Sequence, residues 1–241
     1  MLANFDLNHL LTFPFKESED RKQFLIGALV YLSSFIIPLV PLILITGYAA
    51  RIIRQVLDGE QPRMVAWDDW GGMFTDGARI FGVRLVLMLP FFLLMCPVMG
   101  LSFALPFLME NASGDLGWLV VLIPLFISGV VLILVPVMLI ASIVLPAAEV
   151  HVVEKNEFAA AFRVRDWWPV FRANLGGFLL ALAITYAISF AMTIIMQFTM
   201  LTVVLACLLP ILLPVTGVYM MLVLYAAFAQ AYKAGFDRLT A

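Results

Sequence analysis

The sequence predicts an all-α fold: a polytopic helical membrane protein with about six membrane helices and two amphipathic interfacial helices on the cytoplasmic side. Three observations predict it. Hydrophobic residues make up 64% of the chain and charged residues 12%, about half the charge of a soluble domain. The apolar residues fall into runs at 24–50, 80–108, 118–148 and 175–231, long enough for a membrane helix of roughly 20 residues. All 14 Lys and Arg residues gather at or outside the ends of those runs. No soluble-type stretch is long enough for a second folded domain, so 1–241 reads as a single integral membrane domain.

The N-terminal segment, "MLANFDLNHLLTFPFKESEDRK", lacks a basic start followed by an apolar core and a small-residue cleavage site, so no cleaved signal peptide is read here. The first apolar run bends at "IIPLVP" (36–41) and is expected to form a short hairpin, making 1–58 an interfacial segment plus hairpin. Each arm of about 17 residues would span roughly 25 Å. The basic residues decide between this hairpin and a single crossing, because Lys and Arg near span ends favour the cytoplasm. They form four clusters: Lys16/Arg21/Lys22, Arg51/Arg54/Arg63/Arg79/Arg84, Lys155/Arg163/Arg165/Arg172 and Lys233/Arg238. The turns "PLVP", "MENASGDLG" (109–117) and "LLPILLP" (208–214) have none. A hairpin puts every cluster on one side, with both termini cytoplasmic in a prokaryotic cytoplasmic membrane. Five full crossings is the alternative.

Next comes "VAWDDWGGMFTDGARI" (65–80). Asp68 or Asp69 can cap a helix on which Trp70, Phe74, Gly77 and Phe81 share one face. Trp67, Asp68, Asp69, Trp70 and Phe74 are therefore candidate residues of an interfacial docking helix, and 65–148 reads as a surface helix plus hairpin. Asp166-Trp167 with Phe171 repeats the spacing of Asp69-Trp70 with Phe74. It adds three candidates on a second surface helix, which with its hairpin covers 155–232.

Candidate chemistry is sparse. Asp69 and Asp76 are two turns apart, near 10 Å on a helix, too far to share one ion, and capping is the preferred reading of the acidic block. His9 and His151 are the two histidines. Glu149-x-His151 offers two ligands where a metal site normally wants three or four, so interfacial solvation or a structural hydrogen bond is preferred. Thr185, Ser189, Thr193 and Gln197 follow at four-residue steps along one apolar helix. This polar stripe suits helix packing first and a solute path second. Cys96 and Cys207 both lie in apolar runs, and no nucleotide, hydrolase or metalloprotease motif is present. Net charge is −2, which gives no field for nucleic acid.

"TFPFKESEDRKQFLIGAL" and "GYAARIIRQVLDGEQPRMVAWDDWGGMFTDG" resemble the uncharacterised prokaryotic membrane family known as domain of unknown function 4013. The resemblance rests on Pro14-Phe15-Lys16, Gly47-Tyr48 with Arg51 and Arg54, Gly59-Glu60, Asp68-Asp69-Trp70-Gly71, Phe74 and Asp76-Gly77. It is most specific over 12–77 and implies the membrane architecture without implying an activity. The functional expectation is a non-catalytic accessory or scaffold subunit without cofactors. Its expected partners are the lipid bilayer and other integral membrane proteins or a second copy. A small-solute permease or channel is the alternative, and a lipid-acting enzyme at Asp68/Asp69 comes third.

Overall fold

The structure, a computed structural model, describes residues 6–111, 118–201 and 203–240. The chain is all-helical: α1 Leu7–Thr12, α2 Ser18–Leu32, α3 Leu39–Leu57, α4 Trp70–Asn111, α5 Leu119–Lys155, α6 Val164–Ala173, α7 Leu175–Thr199, α8 Val203–Ala206 and α9 Leu209–Thr240. Five of these, α3, α4, α5, α7 and α9, are long and apolar enough to cross a membrane. Among the described residues there is no strand.

The proline-bent hairpin is present. A 3-10 turn over Ser33–Phe35 follows α2, and α3 begins just after Pro38. Helix α2 has only 15 residues, about 22 Å, and opens on Ser-Glu-Asp-Arg-Lys. It is the short arm of the expected hairpin, so among the described residues five helices are long and apolar and α2 is the short sixth. The turn expected at 109–117 falls largely outside the described residues. The turn expected at 208–214 lies earlier, because α9 already starts at Leu209. Pro210 then sits in the first helical turn, where a missing N–H costs nothing.

The first surface helix is not separate. Helix α4 runs unbroken for 42 residues from Trp70, about 63 Å, and its first proline is Pro90. Glycines alone weaken a helix without ending it. The second surface helix is separate: α6 has ten residues and stops at Asn174, which leaves the helical conformation.

The chain divides into two compact units, Met1–Val83 with Ile143–Ala241, and Arg84–Ser142. The second unit holds the proline-containing middle of α4 and its counterpart in α5. Its large apolar side chains, such as Phe92, Phe103 and Leu132, are exposed on the chain, as expected of surfaces that do not face water.

The first unit is organised on α9, which packs against α1, α2, α3, α6 and α7. Its core holds Phe13, Tyr48, Phe178, Tyr225, Phe228 and Tyr232, all essentially buried. Its hydrogen bonds tie several chain ends to α9. Lys233 donates to the last carbonyl of α3, that of Leu57, at 2.8 Å. Asn174, just before α7, donates to Ala231 O at 2.8 Å. Tyr219 donates to Leu11 O at 3.1 Å.

Helices α3 and α4 meet backbone to backbone. A methyl group on Gly47 would overlap the carbonyl of Met73, and one on Gly77 would overlap the carbonyl of Ile43. Small residues of this kind let two helices approach closely. Gly77→Ala should therefore lower stability by at least about 2 kcal/mol through overpacking. Gly71→Ala, with nothing within 4 Å of the added carbon, should be neutral. Thermal unfolding of both variants in mild detergent checks the pair.

Candidate functional site

The close approach of α3 and α4 forces the connector between them into a tight path, and side chains of α3 fix that path. Gly59 turns the chain at φ +91°, a conformation open to glycine. The Tyr48 hydroxyl then donates to Val65 O at 2.8 Å and accepts from Val65 N at 2.7 Å. Trp67 stacks on Tyr48 with ring centres 4.3 Å apart. Its indole N–H donates to Gln23 O on α2 at 2.9 Å. One stacked pair thus holds α2, α3 and the connector together.

Asp69 caps α4. Its carboxylate accepts from Gly72 N at 2.9 Å, and its carbonyl accepts from Met73 N at 3.0 Å. Arg51 of α3 pairs with the same carboxylate at 2.5 Å and with Asp68 at 3.7 Å. The Gly72 N–H, and after it the Arg51 guanidinium, hold the Asp69 carboxyl below its ordinary value. One turn further, Arg54 pairs with Asp76 at 2.5 Å and Arg79 reaches the same carboxylate at 3.4 Å. Both arginines also donate to the Asn156 side chain. Asn156 ends α5 at φ +53°, a left-handed position that asparagine tolerates.

Arg54, Asp76, Arg79 and Asn156 line an open cleft of about 570 Å³ with Asp58, Thr75 and Glu154. Most of its functional groups are already engaged. Asp76 pairs with both arginines, and the Thr75 hydroxyl donates to Gly71 O at 2.9 Å. Glu154 accepts from Lys155 at 3.0 Å and from Tyr232 at 2.8 Å. The arrangement is that of a helix lock. It presents no nucleophile hydrogen-bonded to a base.

The sequence-predicted docking residues do not form one surface. Asp68, Asp69, Trp70 and Phe74 are exposed, and Trp67 is half-buried between its stacking partners. In the second copy Trp167 and Phe171 are buried, at 4% and 5% exposure, against 43% and 42% for Trp70 and Phe74. The reason is register. Asp69 is a cap with Trp70 first in its helix, whereas Asp166 is the third residue of α6 and pairs with Arg163 at 3.4 Å. Trp167 therefore turns inward, and its N–H donates to Ala161 O at 3.0 Å.

The polar stripe of α7 stays on one helix face. Thr185 is buried and donates to Ala181 O at 2.8 Å, and Thr193 donates to Ser189 O at 2.8 Å. Ser189 is half-exposed on the chain, and Thr193 and Gln197 are exposed.

Sequence reasoning named Glu149 and His151 of α5 but passed over their buried partners on α9, Tyr225 and Tyr232. Tyr225 donates to Glu149 at 2.8 Å, and that carboxylate has no exposed surface. His151 Nδ1 lies 2.7 Å from the Tyr232 hydroxyl and 3.2 Å from Glu154. Of the two expected histidine roles, the structure shows the hydrogen bond. Tyr225 and Tyr232 are seven residues apart, one face of α9, and that spacing was the available signal.

Asp69 carries a prediction that separates its two roles. Asp69→Asn keeps a capping oxygen and loses the charge, whereas Asp69→Ala loses both. Thermal unfolding at neutral pH should rank wild type above Asn, and Asn above Ala. A carboxyl held below its ordinary value adds stability in full above that value and loses it as pH falls through the folded one. The gap between wild type and Asp69→Asn should therefore be flat from pH 7 to 5 and shrink below about pH 4.

Comparison with known proteins completes the site. No curated protein and no solved structure matches the chain. The family model described as "Protein of unknown function (DUF4013)" matches residues 30–201. The matched region contains Gly47, Tyr48, Arg51, Arg54, Asp69, Asp76 and Gly77, the residues of the helix lock, while Pro14-Phe15-Lys16 falls outside it. The chain with this glycine crossing and its flanking arginine–aspartate pairs belongs to the DUF4013 family.

Proposed function

We propose that the protein is a non-catalytic multi-pass membrane protein that serves as an accessory or scaffold subunit, packing laterally against other membrane proteins or a second copy. The observation that carries this reading is the outward face of α7. Ser189 and Thr193 follow at a four-residue step on a 25-residue apolar helix, the first half-exposed and the second exposed on the chain. Small polar residues so placed let a second helix approach closely. Gln197 extends the same line to the end of the helix.

Sidedness in this reading rests on the basic residues. The clusters at Lys16–Lys22, Arg51–Arg84, Lys155–Arg172 and Lys233–Arg238 flank the apolar helices, and positive residues favour the cytoplasm. Both termini are therefore cytoplasmic in this reading. The lock of Arg51, Arg54, Asp69 and Asp76 then lies at the cytoplasmic edge of the bilayer, where it fixes the tilt of α4 against α3.

The test is crosslinking in native membranes. Cys96 and Cys207 are both exposed thiols and must be replaced first. Ser189→Cys and Thr193→Cys should then give disulfide or bifunctional-reagent adducts to a partner or second copy, whereas Phe92→Cys in the second unit should give fewer. A monomer in mild detergent with no adduct in membranes would overturn the accessory reading. The permease alternative predicts solute flux in proteoliposomes that changes with Gln197→Leu.

A further inference from the structure

Helix α6 has two faces, and the outward one is not the face its acidic-aromatic motif suggests. Trp167, Val170 and Phe171 point into the first unit and are buried. Phe171 continues the core through Phe178 to Phe228, with ring centres 5.0 and 6.0 Å apart in turn. At 100° per residue, the opposite face carries Arg165, Trp168 and Arg172. All three are exposed.

These arginines differ from the others nearby. Arg163 is held by Glu157 at 2.6 Å and by Asp166 at 3.4 Å. Among the described residues, Arg165 and Arg172 have neither an ion pair nor a hydrogen bond. Arg238 adds a third guanidinium at the same end, donating to Ala173 O at 2.9 Å. The positive charge of Arg165 and Arg172 is thus not neutralised by an ion pair within the described residues.

Its position relative to the apolar helices says what would neutralise it. Asn174 alone separates α6 from α7, and Leu175 and Leu179 of α7 are exposed on the chain. Within seven residues the outward surface passes from a guanidinium to bare aliphatic side chains. On the other side, exposed Phe158 and Phe162 pair at 5.4 Å in the turn that precedes α6. A tryptophan between cations, bordered by apolar groups, matches the layer where headgroup phosphates meet acyl chains.

We propose that the Arg165–Trp168–Arg172 face of α6 is a binding site for anionic phospholipid headgroups. The two guanidiniums take the phosphate oxygens, a geometry that arginine suits better than lysine. Trp168 sets the depth at the carbonyl level of the bilayer. The site rests on the membrane-embedded reading above and not on the accessory role.

The experiment uses the full chain reconstituted in bilayers of phosphatidylcholine with 30 mol% phosphatidylglycerol, a composition chosen for the assay. Spin-labelled versions of each lipid report how much of it the protein immobilises. The wild type should immobilise phosphatidylglycerol in preference to phosphatidylcholine, and the preference should weaken as salt is raised. Arg165→Gln/Arg172→Gln should bring the preference close to parity, since each arginine at an anionic surface is worth about fivefold in association. Lys22→Gln, remote and already paired with Glu19, should leave it unchanged.

No preference in the wild type would overturn the site, as would a preference that survives the double change. If the double variant does not fold, the salt series on the wild type still decides. Inorganic phosphate abolishing the preference at constant ionic strength would make this a free-anion site instead. A photocrosslinker at Trp168 that captured protein in native membranes, and not lipid, would assign the face to a protein partner and overturn the proposal. Release of the chain by alkaline carbonate would overturn the membrane reading itself. Retention without lipid preference would overturn this site alone.

Discussion

Gly47 and Gly77 bring the backbones of α3 and α4 into direct contact, and most of what is specific about the first unit follows from that proximity. A side chain on either residue would hold the helices apart, and the arginines of α3 would then miss their aspartates. At this spacing Arg51 meets the cap of α4 and Arg54 meets Asp76 one turn later. The connector has little slack, so Tyr48 can bind both main-chain groups of Val65 while Trp67 lies flat on its ring. Van der Waals contact comes first here, and the charges are arranged around it. Such an order suits a membrane protein, in which close packing replaces much of the hydrophobic drive between helices.

Charge follows the same logic throughout the unit. Asp76 satisfies two arginines, and Glu154 serves a histidine, a tyrosine and a lysine. Buried Glu149 accepts from Tyr225. In low dielectric an ionised group without partners is costly, and removing one partner is worse than removing both. The exceptions, Arg165 and Arg172, stand out against this background because nearly every other cation at that end of the unit is engaged.

The sequence made the all-helical class legible through the length of its apolar runs, and the proline pair at 38 and 41 marked the first bend. The cap at Asp69 was legible too, because an aspartate before a helical run has one dominant local use. What stayed hidden depends on register and distance. Asp69-Trp70 and Asp166-Trp167 look alike as letters, yet one aspartate stands before its helix and the other inside it. The shift rotates the neighbouring tryptophan from the surface to the core. A three-residue match carries no information on where a helix starts. The continuity of α4 was hidden for a related reason: four glycines near its start resemble a break, although nothing after them compels one. The Glu149–Tyr225 and His151–Tyr232 pairs join positions about eighty residues apart, beyond any local pattern.

The placement of α9 has a consequence for how the chain is made. Contacts within the lock span about twenty residues of sequence, so they can close while synthesis continues. Helix α9 leaves the ribosome after the other helices described, and it is the helix on which α1, α2, α3, α6 and α7 all rest. Until it arrives, those earlier helices lack their common neighbour and expose the faces it will cover. The first unit therefore waits, half-assembled, for α9. A ribosome that stops short leaves an open bundle, a substrate for quality control and not a smaller version of the protein.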